Sequence, residues 1–380
     1  MTCSPLPRPV RLTLVIPCYN EEKTLRKCID RVLKIRDENL SLELVIVDDG
    51  SRDRSLAIAR ELALEHPEIV VVPHEVNQGK GAALRTGFQK ASGEFVGVQD
   101  ADLEYDPREL ESLLLPLVND EADVVFGSRF LSCGAHRVLY FWHFLGNSLL
   151  TFVSNMFSDL NLTDMETCYK IFRRDVVQSI DIKENRFGVE PELVAKVARM
   201  RLRIYETGIS YYGRTYEEGK KIGFRDAFRA FYCIFRYNAP TAPPPVQFLL
   251  YLFIGGFSAA ANLLFFLALL GAGSGPTLAA ALAFAGAAAV NYLLCIAFLF
   301  RHKARWNSTA EVLVYLLVVV LVGALDVGMT RGFLFLGLAP WLAKSVSSIF
   351  GLVFNFLGRR YLVFPEKPAG PWKPQVKDGE

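Results

Sequence analysis

Two aspartates at the end of a short apolar run are the residues of this chain best suited to chemistry. Residues 95–98 are apolar or glycine, and Asp100 and Asp102 follow them after a single glutamine. Because side chains alternate along an extended chain, both carboxylates point the same way where the strand ends. Two hard oxygen ligands with room for water suit Mg²⁺ or Mn²⁺ held against a diphosphate. For an isolated Asp-x-Asp, the alternative is a solvated acidic turn.

The elements that position this pair alternate between strands and helices. The pattern predicts strands at 11–17, 43–47, 69–72 and 95–98. It predicts helices from near Lys23, over 54–65 with Ser51 or Asp53 as the cap, and over 82–91. Such alternation is typical of a mostly parallel, doubly wound α/β sheet. Open sheets of this kind bind ligands at the carboxyl ends of their strands.

Two common nucleotide-binding folds do not fit the motifs. Pro-Cys-Tyr-Asn-Glu follows the first strand, where a dinucleotide-binding fold has G-x-G-x-x-G. The glycines at 79, 81 and 87 come after the third strand, where that fingerprint does not belong. The sequence also has no G-x-x-x-x-G-K-[ST] motif, which argues against a P-loop.

Composition divides the chain of 380 residues at about residue 240. The chain is 51% hydrophobic, and long apolar runs in its second part carry the excess. A net charge of +2 and the absence of a nucleic-acid-binding motif argue against a nucleic-acid partner. Seven cysteines without a C-x-x-C pair argue against structural zinc and a disulfide framework. Residues 1–11 lack a signal-peptide pattern, so we expect a cytosolic catalytic part.

Four motifs occur in order along the first part of the chain. They are VIPCYNEE (15–22), VIVDDGS (45–51), NQGKGAA (77–83) and DADLE (100–104). Further segments at 127–130, 164–170 and 214–221 extend the pattern. Together they resemble glycosyltransferase family 2, which has the GT-A fold, and specifically the dolichyl- or polyprenyl-phosphate hexose synthases. The resemblance covers about residues 10–236.

That resemblance implies roles for particular residues. Contact with the nucleotide sugar is expected of Pro17, Tyr19, Asn20, Glu21, Asp48, Asp49, Lys80, Asp100, Glu190, Lys220 and Lys221. The metal, Mg²⁺ or Mn²⁺, is expected on Asp100, Asp102 and Glu104. Arg129 and Arg214 are expected to bind phosphate, including that of the lipid acceptor, and to be catalytic together with the aspartate pair.

Some of these roles have structural alternatives. Asp48 and Asp49 could form a plain helix-entry turn, and Lys80 could be exposed. Glu190 could be a helix N-terminal carboxylate that responds to the helix dipole. The pair at 220–221 could be a solvated basic turn or could contact lipid headgroups. Glu104 replaces the glutamine common in the dolichyl-phosphate mannose branch, which leaves the donor sugar open.

The expected chemistry needs no protein base. A polyprenyl phosphate has its second ionisation near pH 6, so it arrives as an anion and needs only positioning. The chain lacks the acidic base motif and the Gln-x-x-Arg-Trp motif of processive polysaccharide synthases. A single displacement would invert the anomeric centre, so an α-linked donor would give a β-linked lipid product.

The second part of the chain reads as a membrane domain. Residues 222–238 interleave phenylalanines with arginines at helical spacing, which predicts an interfacial amphipathic helix or a domain-packing helix. Residues 138–157 could form a second interfacial element, and the proline-rich segment 239–245 reads as a stiff linker. Four apolar runs, each able to span a bilayer, follow at about 246–270, 277–300, 311–334 and 341–358. Basic connectors predict that both termini are cytosolic.

The four spans end in a weak internal repeat. The segment that begins at Asn291 and runs through apolar residues to 300 is similar to the segment that begins at Asn355 and runs to 364. This similarity suggests two equivalent hairpins. This part resembles the GtrA-like membrane domain, and that resemblance implies either transport of lipid-linked sugars or only an anchor or oligomer interface. We therefore expect a GT-A domain at 1–221, an interfacial helix and linker at 222–245, a GtrA-like domain at 246–364 and a cytosolic tail at 365–380.

The sequence thus predicts an integral membrane enzyme of the bacterial inner or plasma membrane. It would transfer a hexose from GDP-mannose or UDP-glucose to undecaprenyl or dolichyl phosphate, in contact with membrane lipids. The alternatives are transfer to another membrane lipid, whose hydroxyl would need a base, and a flippase or scaffold that only binds nucleotide sugar. The sequence leaves open which hexose is used and whether the chain forms homo-oligomers.

Overall fold

The computed structural model describes residues 6–131, 137–138, 140–213, 224–300 and 308–364. Their contacts divide the chain into two units, one ending at Asn238 and the other beginning at Ala239. We call them the catalytic unit and the membrane unit, after the roles that the sequence predicts for them. Arg214, Lys220 and Lys221, for which the sequence predicts phosphate and donor contacts, lie outside the described residues.

A seven-stranded sheet forms the centre of the catalytic unit as described. Its strands are β1 (Val10–Cys18), β2 (Leu40–Asp48), β3 (Ile69–Pro73), β4 (Phe95–Val98), β5 (Val124–Ser128), β6 (Lys170–Arg173) and β7 (Ile204–Gly208). The helices are α1 (Leu25–Leu33), α2 (Ser55–Glu65), α3 (Lys80–Lys90), α4 (Leu110–Val118), α5 (Phe141–Ser158), α6 (Arg174–Ser179), α7 (Val189–Met200) and α8 (Phe224–Asn238).

The predicted mostly parallel sheet is confirmed. The strand order is β3-β2-β1-β4-β6-β5-β7, and only β6 runs antiparallel to its neighbours among the described strands. The four predicted strands are present, and the central ones are buried on both faces, as the unbroken apolar run in β1 requires. The sequence predicts Ser51 or Asp53 as the cap of α2, but the N-cap residue is Arg54, which makes no side-chain cap hydrogen bond, and Asp53 Oδ1 instead accepts from the Ser55 N–H at 2.9 Å one residue before the cap.

The sheet topology brings several chain segments to one edge. The carboxyl ends of β1, β2, β4, β5 and β7 lie on the same side, because these strands are mutually parallel. Since β6 runs the opposite way, its amino-terminal end meets them there. This edge therefore carries the segments that follow β1, β2, β4 and β5 and the segment that precedes β6.

Helix α8 is amphipathic, but one of its faces packs within the catalytic unit. Cys233 and Tyr237 are buried with Ala195 of α7, and Arg229 binds Glu184 through Nη2 at 2.6 Å. The opposite side exposes aromatic rings at Phe228, Phe231 and Tyr232. Helix α5, which contacts α8, exposes a row of apolar side chains at Phe141, Trp142, Phe144, Leu145, Leu149 and Phe152. The predicted contact of these surfaces with a membrane stays a prediction.

The membrane unit consists of two helical hairpins. Its helices are α9 (Pro244–Gly271), α10 (Pro276–Leu294), α11 (Ser308–Phe335) and α12 (Pro340–Gly358), and π-helical turns follow at Cys295–Phe300 and Arg359–Val363. Three segments of the described chain are long and apolar enough to cross a membrane: Pro244–Gly271, Leu282–Phe300 and Thr309–Phe335. The sequence predicts four spans, and α12 is not among these three. The predicted linker at 239–245 is instead a 3₁₀ turn at Ala239–Thr241 followed by the start of α9.

The two hairpins are structural repeats with a constant offset of 64 residues, from 244 to 308 and from 276 to 340. Gly273 and Gly337, which close the corresponding turns, both have positive φ, at +85° and +84°. Phe300 and Phe364, also 64 residues apart, stack with their ring centroids at 4.8 Å. The internal echo in the sequence therefore corresponds to two hairpins with the same helix lengths.

Candidate active site

A cavity of about 440 Å³ opens at the carboxyl edge of the sheet. Residues predicted from the sequence that line it are Pro17, Tyr19, Glu21, Asp49, Lys80, Asp100, Asp102, Glu104, Arg129 and Glu190. Asn20 and Asp48 are not among the lining residues. The ordered motifs of the sequence thus converge on one space, although they are far apart along the chain.

Two lysines and two carboxylates alternate beside this space. Lys80 Nζ lies 3.1 Å from Asp100 Oδ1 and 3.3 Å from Glu190 Oε1. Glu190 Oε2 in turn lies 2.6 Å from Nζ of the fully buried Lys170. Burial lowers the pKa of Lys80, but the charges of Asp100 and Glu190 outweigh it, so the pKa lies well above its ordinary value. Lys80 is therefore a half-buried, ion-paired ammonium rather than the exposed lysine of the structural alternative.

A layer of buried polar and aromatic groups supports the backbone at Asp100. Gln99 Nε2 donates to the Asp100 carbonyl at 2.9 Å, and the Tyr169 hydroxyl donates to Gln99 Oε1 at 2.7 Å. Tyr105 stacks on Tyr169 with ring centroids 4.8 Å apart. These contacts fix the chain where β4 ends, so the backbone that carries the aspartate pair is rigidly placed.

Arg129 reaches the cavity with its orientation already set. Its Nε and Nη2 donate to the two oxygens of Asp164 at 2.6 and 2.7 Å, and its guanidinium carbon lies 5.1 Å from the centre of the Tyr211 ring. Asp164 is fully buried. A two-point pair with a buried carboxylate fixes the guanidinium plane, so Arg129 presents a preoriented positive charge to the cavity. Its predicted contact with a phosphate stays a prediction.

The residues after β2 shape loops around the cavity. Asp49 accepts hydrogen bonds from His74 Nδ1 at 2.8 Å, Asn77 Nδ2 at 2.9 Å and the Gly79 N–H at 2.7 Å. Asp48 accepts from the Ser51 N–H at 3.1 Å, while its Oδ1 is shielded and has no hydrogen-bond partner among the described residues. Asp49 thus holds the loop that leads into Lys80, and the nucleotide contact of both aspartates stays a prediction.

Asn20 supports the first loop from outside the cavity. Its φ is +55°, a conformation that asparagine tolerates better than most residues. Its N–H donates to Ser51 Oγ at 3.0 Å, and its Oδ1 accepts from the Arg52 N–H at 2.8 Å. These contacts join the loops after β1 and β2. A nucleotide contact through Asn20 stays a prediction.

Replacing Gly79 by alanine should disrupt the entry to α3. Gly79 has a φ of +103°, and an added Cβ would meet the carbonyl oxygen of Asn185. We expect a loss of about 1–3 kcal/mol in the free energy of unfolding, together with weaker donor binding because Lys80 is displaced. Thermal unfolding and nucleotide-sugar titration measure the two effects.

Gly146→Ala is the matched control, since nothing lies within 4 Å of a Cβ at that helical position. It should leave donor binding unchanged and stabilise the helix by at most about 1 kcal/mol. Equal unfolding temperatures for the Gly79 and Gly146 variants would contradict the prediction.

The donor set beside the cavity fits a divalent metal bound together with a diphosphate. Asp100 and Asp102 supply only carboxylate oxygens, and Asp100 already lies against one cationic group, the ammonium of Lys80. Glu104 Oε2 accepts from the Tyr211 hydroxyl at 2.8 Å, so this carboxylate has a protein partner. Within the described residues, no three His, Cys, Asp or Glu side chains are grouped closely enough to hold a metal by themselves. The third-ligand role of Glu104 stays a prediction.

Glu166 is a cavity residue to which the sequence analysis assigned no role. Its Oε1 is shielded from solvent and has no hydrogen-bond partner among the described residues. Burial, and next the charge of Glu190, raise its pKa from the ordinary 4.5 to about 7. The sequence signal was available, because Glu166 lies in the quoted segment 164–170 between Asp164, which holds Arg129, and Lys170.

Removing the Glu166 charge should change how stability depends on pH. Because the folded-state pKa is raised, the unfolded chain releases this proton first, and stability falls as pH rises from about 4.5 to 7. Glu166→Gln should therefore raise the free energy of unfolding by up to about 3 kcal/mol above pH 7 and change little below pH 4.5. Thermal unfolding of the full chain at pH 4 and pH 8 measures this.

The exposed Glu75→Gln is the control, and it should behave like the wild type at both pH values. If Glu166→Gln changed the free energy of unfolding by the same small amount at pH 4 and at pH 8, the raised pKa of Glu166 would be contradicted.

Comparison with known proteins agrees with these features. Residues 13–181 match the model of glycosyl transferase family 2, and residues 250–364 match the GtrA/DPMS transmembrane domain. The chain is 31% identical over 221 residues to dolichyl-phosphate beta-glucosyltransferase ALG5A of Trichomonas vaginalis. This alignment covers 54% of this chain and 67% of that protein. It is 25% identical to a UDP-N-acetylglucosamine–dolichyl-phosphate N-acetylglucosaminyltransferase of Methanococcus voltae, over 58% of this chain and 92% of that protein.

Among solved structures, glucosyl-3-phosphoglycerate synthase from Mycobacterium tuberculosis, in complex with Mn²⁺, UDP and glucosyl-3-phosphoglycerate, matches with a TM-score of 0.47. It shares 19% identity over 60% of this chain and 80% of that one. The sequence relatives and family models carry the assignment. The chain is a glycosyltransferase that belongs to glycosyl transferase family 2 and carries a GtrA/DPMS transmembrane domain.

Proposed function

We propose that this enzyme transfers a hexose, with inversion, from a nucleoside-diphosphate sugar to a polyprenyl phosphate at the cytosolic face of a membrane. One observation carries the proposal: a single cavity brings the carboxylates of Asp100 and Asp102 together with the cations of Lys80 and Arg129. A departing diphosphate and an incoming phosphate both need positive charge around them. The relatives support this acceptor class, since those of T. vaginalis and M. voltae are named for transfer to dolichyl phosphate.

A divalent ion, Mg²⁺ or Mn²⁺, would be held by Asp100 and Asp102, and Glu104 is the proposed third ligand. When bound, it would neutralise the negative charge of the diphosphate leaving group. The sequence motifs and the oxygen donors at this edge of the cavity support the site.

The chain's own residues would bind and orient the two phosphates. Lys80, at the end of the loop held by Asp49 and beside Asp100, would contact the diphosphate. Arg129, fixed by Asp164, would hold the acceptor phosphate, and we propose the same task for Arg214. The acceptor is already an anion near neutral pH, so orientation rather than proton removal is what it requires. A single displacement then inverts the anomeric centre.

The proposed membrane arrangement follows from charge and exposed apolar surface. The catalytic domain, assigned to residues 1–221, and both termini would be cytosolic, with four spans within 246–364. Exposed rings on α5 and α8, among them Trp142 and Phe228, would enter the lipid interface, where aromatic side chains are favoured. In this arrangement the catalytic edge would face the leaflet that holds the acceptor.

An activity screen of the full chain in detergent tests the proposal. Undecaprenyl phosphate is offered with Mg²⁺ or Mn²⁺ and labelled UDP-glucose, GDP-mannose or UDP-N-acetylglucosamine, and the lipid fraction is counted. Metal-dependent label from one donor is expected. No lipid product from any donor, in a folded protein that binds nucleotide, would shift the assignment to another acceptor or to a lipid-sugar flippase or scaffold.

One observation favours a second candidate, transfer to a lipid hydroxyl such as that of diacylglycerol. Such an acceptor needs a general base, and Glu166 lines the cavity with a pKa raised to about 7. Including diacylglycerol in the same screen separates the two acceptors. Under this candidate Glu166→Gln would abolish the label, whereas phosphate acceptance should survive the substitution.

A further inference from the structure

We propose that the end of the second hairpin of the membrane unit, at Arg359 and Arg360, binds the phosphate monoester of a membrane lipid. The proposal depends on the proposed function only for the choice of polyprenyl phosphate as the lipid. It concerns residues of the membrane unit, none of which lines the cavity of the catalytic unit.

Arg359 is a buried cation surrounded by neutral groups. Only 4% of the residue is exposed. Its Nε donates to Asn355 Oδ1 at 3.1 Å, Nη1 to Asn291 Oδ1, and Nη2 to the Tyr315 hydroxyl oxygen at 3.3 Å. The rings of Tyr251 and Tyr315 lie 5.3 and 4.7 Å from the guanidinium carbon. These contacts orient the guanidinium but supply no negative charge.

No carboxylate of the described chain forms an ion pair with Arg359. Glu311 is also buried, but the Tyr292 hydroxyl binds it at 2.7 Å, and the Tyr292 ring packs on Tyr315 at 5.1 Å. The hydrogen-bond partner of Glu311 is thus a tyrosine hydroxyl and not Arg359. Burying a charge without a partner is unfavourable, and an apolar surrounding makes it more so. The site therefore favours an external anion.

Arg360 supplies the second observation. Its Nε and Nη1 are shielded from solvent, and neither has a hydrogen-bond partner in the part of the chain that the structure describes. Two adjacent arginines repel each other, and here one lacks a counter-charge while the other has unused donors. A phosphate monoester carries nearly two negative charges at neutral pH and several acceptor oxygens, so it would satisfy both groups.

The internal repeat indicates that packing alone does not require these arginines. At the offset of 64 residues, Cys295 and Ile296 stand in the first hairpin where Arg359 and Arg360 stand in the second. The surrounding groups are duplicated, since Asn291 matches Asn355 and Tyr251 matches Tyr315. The first hairpin therefore forms the same π-helical turn without a cation.

Space for a ligand lies beside groups that contact Arg359. A cavity of about 420 Å³ runs between the hairpins, and its wall includes Tyr251 and Asn355, which both contact Arg359. Asp326 also lines this cavity, about three turns further along α11 than Tyr315. The carboxylate disfavours an anion at that end, which leaves the arginine end for the phosphate.

Lipid binding to the full chain in detergent tests the proposal by native mass spectrometry. The probe is undecaprenyl phosphate, and the comparison ligands are undecaprenol, phosphatidylglycerol and inorganic phosphate. Arg360→Gln is the principal variant because Arg359 ties several helices together and its loss could unfold the unit. Arg331→Gln, at an exposed arginine of α11, is the matched control. Thermal unfolding confirms that each variant is folded.

We expect Arg360→Gln to weaken one undecaprenyl phosphate binding event at least tenfold and Arg331→Gln to change nothing. Arg359→Lys, where it folds, should weaken the same event. If inorganic phosphate displaced the lipid from the wild type but not from Arg360→Gln, the result would support the site and show that it also binds the free anion. Unchanged binding in Arg360→Gln, or equal binding of undecaprenol or phosphatidylglycerol, would overturn the proposal. Sugar transfer is assayed separately, so failure of the proposed function would leave this result interpretable.

Discussion

Asp102→Asn is expected to reduce sugar transfer by about 10³-fold while leaving the fold intact. Asp102 lines the cavity at the carboxyl edge of the sheet beside Asp100, and both are the proposed carboxylate ligands of the divalent ion. The substitution keeps the shape of the side chain and removes its charge, so the ion is held weakly. Initial rates at saturating Mn²⁺ and donor measure the loss, and chelation of the wild type should reproduce it reversibly.

Asp106→Asn is the matched control, because Asp106 lies four residues further along and pairs with Arg108 at 2.6 Å rather than lining the cavity. It should keep nearly full activity. A fully active Asp102→Asn enzyme, or a wild type insensitive to chelation, would remove the aspartate pair from the mechanism.

Glu190→Ala is expected to destabilise the catalytic unit by about 3–5 kcal/mol, and to lower its unfolding temperature by about 10 °C. Lys170 is fully buried, and Glu190 is the only carboxylate of the described chain within 4 Å of its ammonium. Truncating Glu190 leaves that charge uncompensated. Thermal unfolding of the full chain, followed by fluorescence, measures the change.

Removing the lysine of this pair instead should reduce the free energy of unfolding by less than removing Glu190. In Lys170→Met, Glu190 keeps its pairing with Lys80 at 3.3 Å, so one counter-charge remains. The double variant Lys170→Met with Glu190→Met removes both charges and should recover most of the stability, since apolar replacement of a buried pair is often neutral. If Glu190→Ala unfolded at the same temperature as the wild type, the assigned role of this pair would be incorrect.

The sequence by itself determined the fold class and the cavity's main residues. Unbroken apolar runs alternating with helical segments can be satisfied only by a sheet covered on both faces, so the strands up to residue 98 were predicted closely. Parallel strands bring their carboxyl ends together, so motifs after three different strands had to meet. Long continuous apolar runs likewise revealed the membrane unit, and the repeated Asn291 and Asn355 motifs revealed its duplication.

Only the tertiary structure decided which charges neutralise one another, because ion pairs depend on distances that spacing along the chain does not encode. Glu190, predicted to face the sugar, lies between two lysines, and Asp49 holds a loop. Arg129 is fixed by a carboxylate 35 residues away. Burial, which exists only once the chain is folded, raises the pKa of Glu166 and encloses Arg359 among neutral groups. Local sequence patterns therefore specified the helices and strands and where they end. Long-range packing determined which charged side chains pair with one another and which are enclosed among neutral groups.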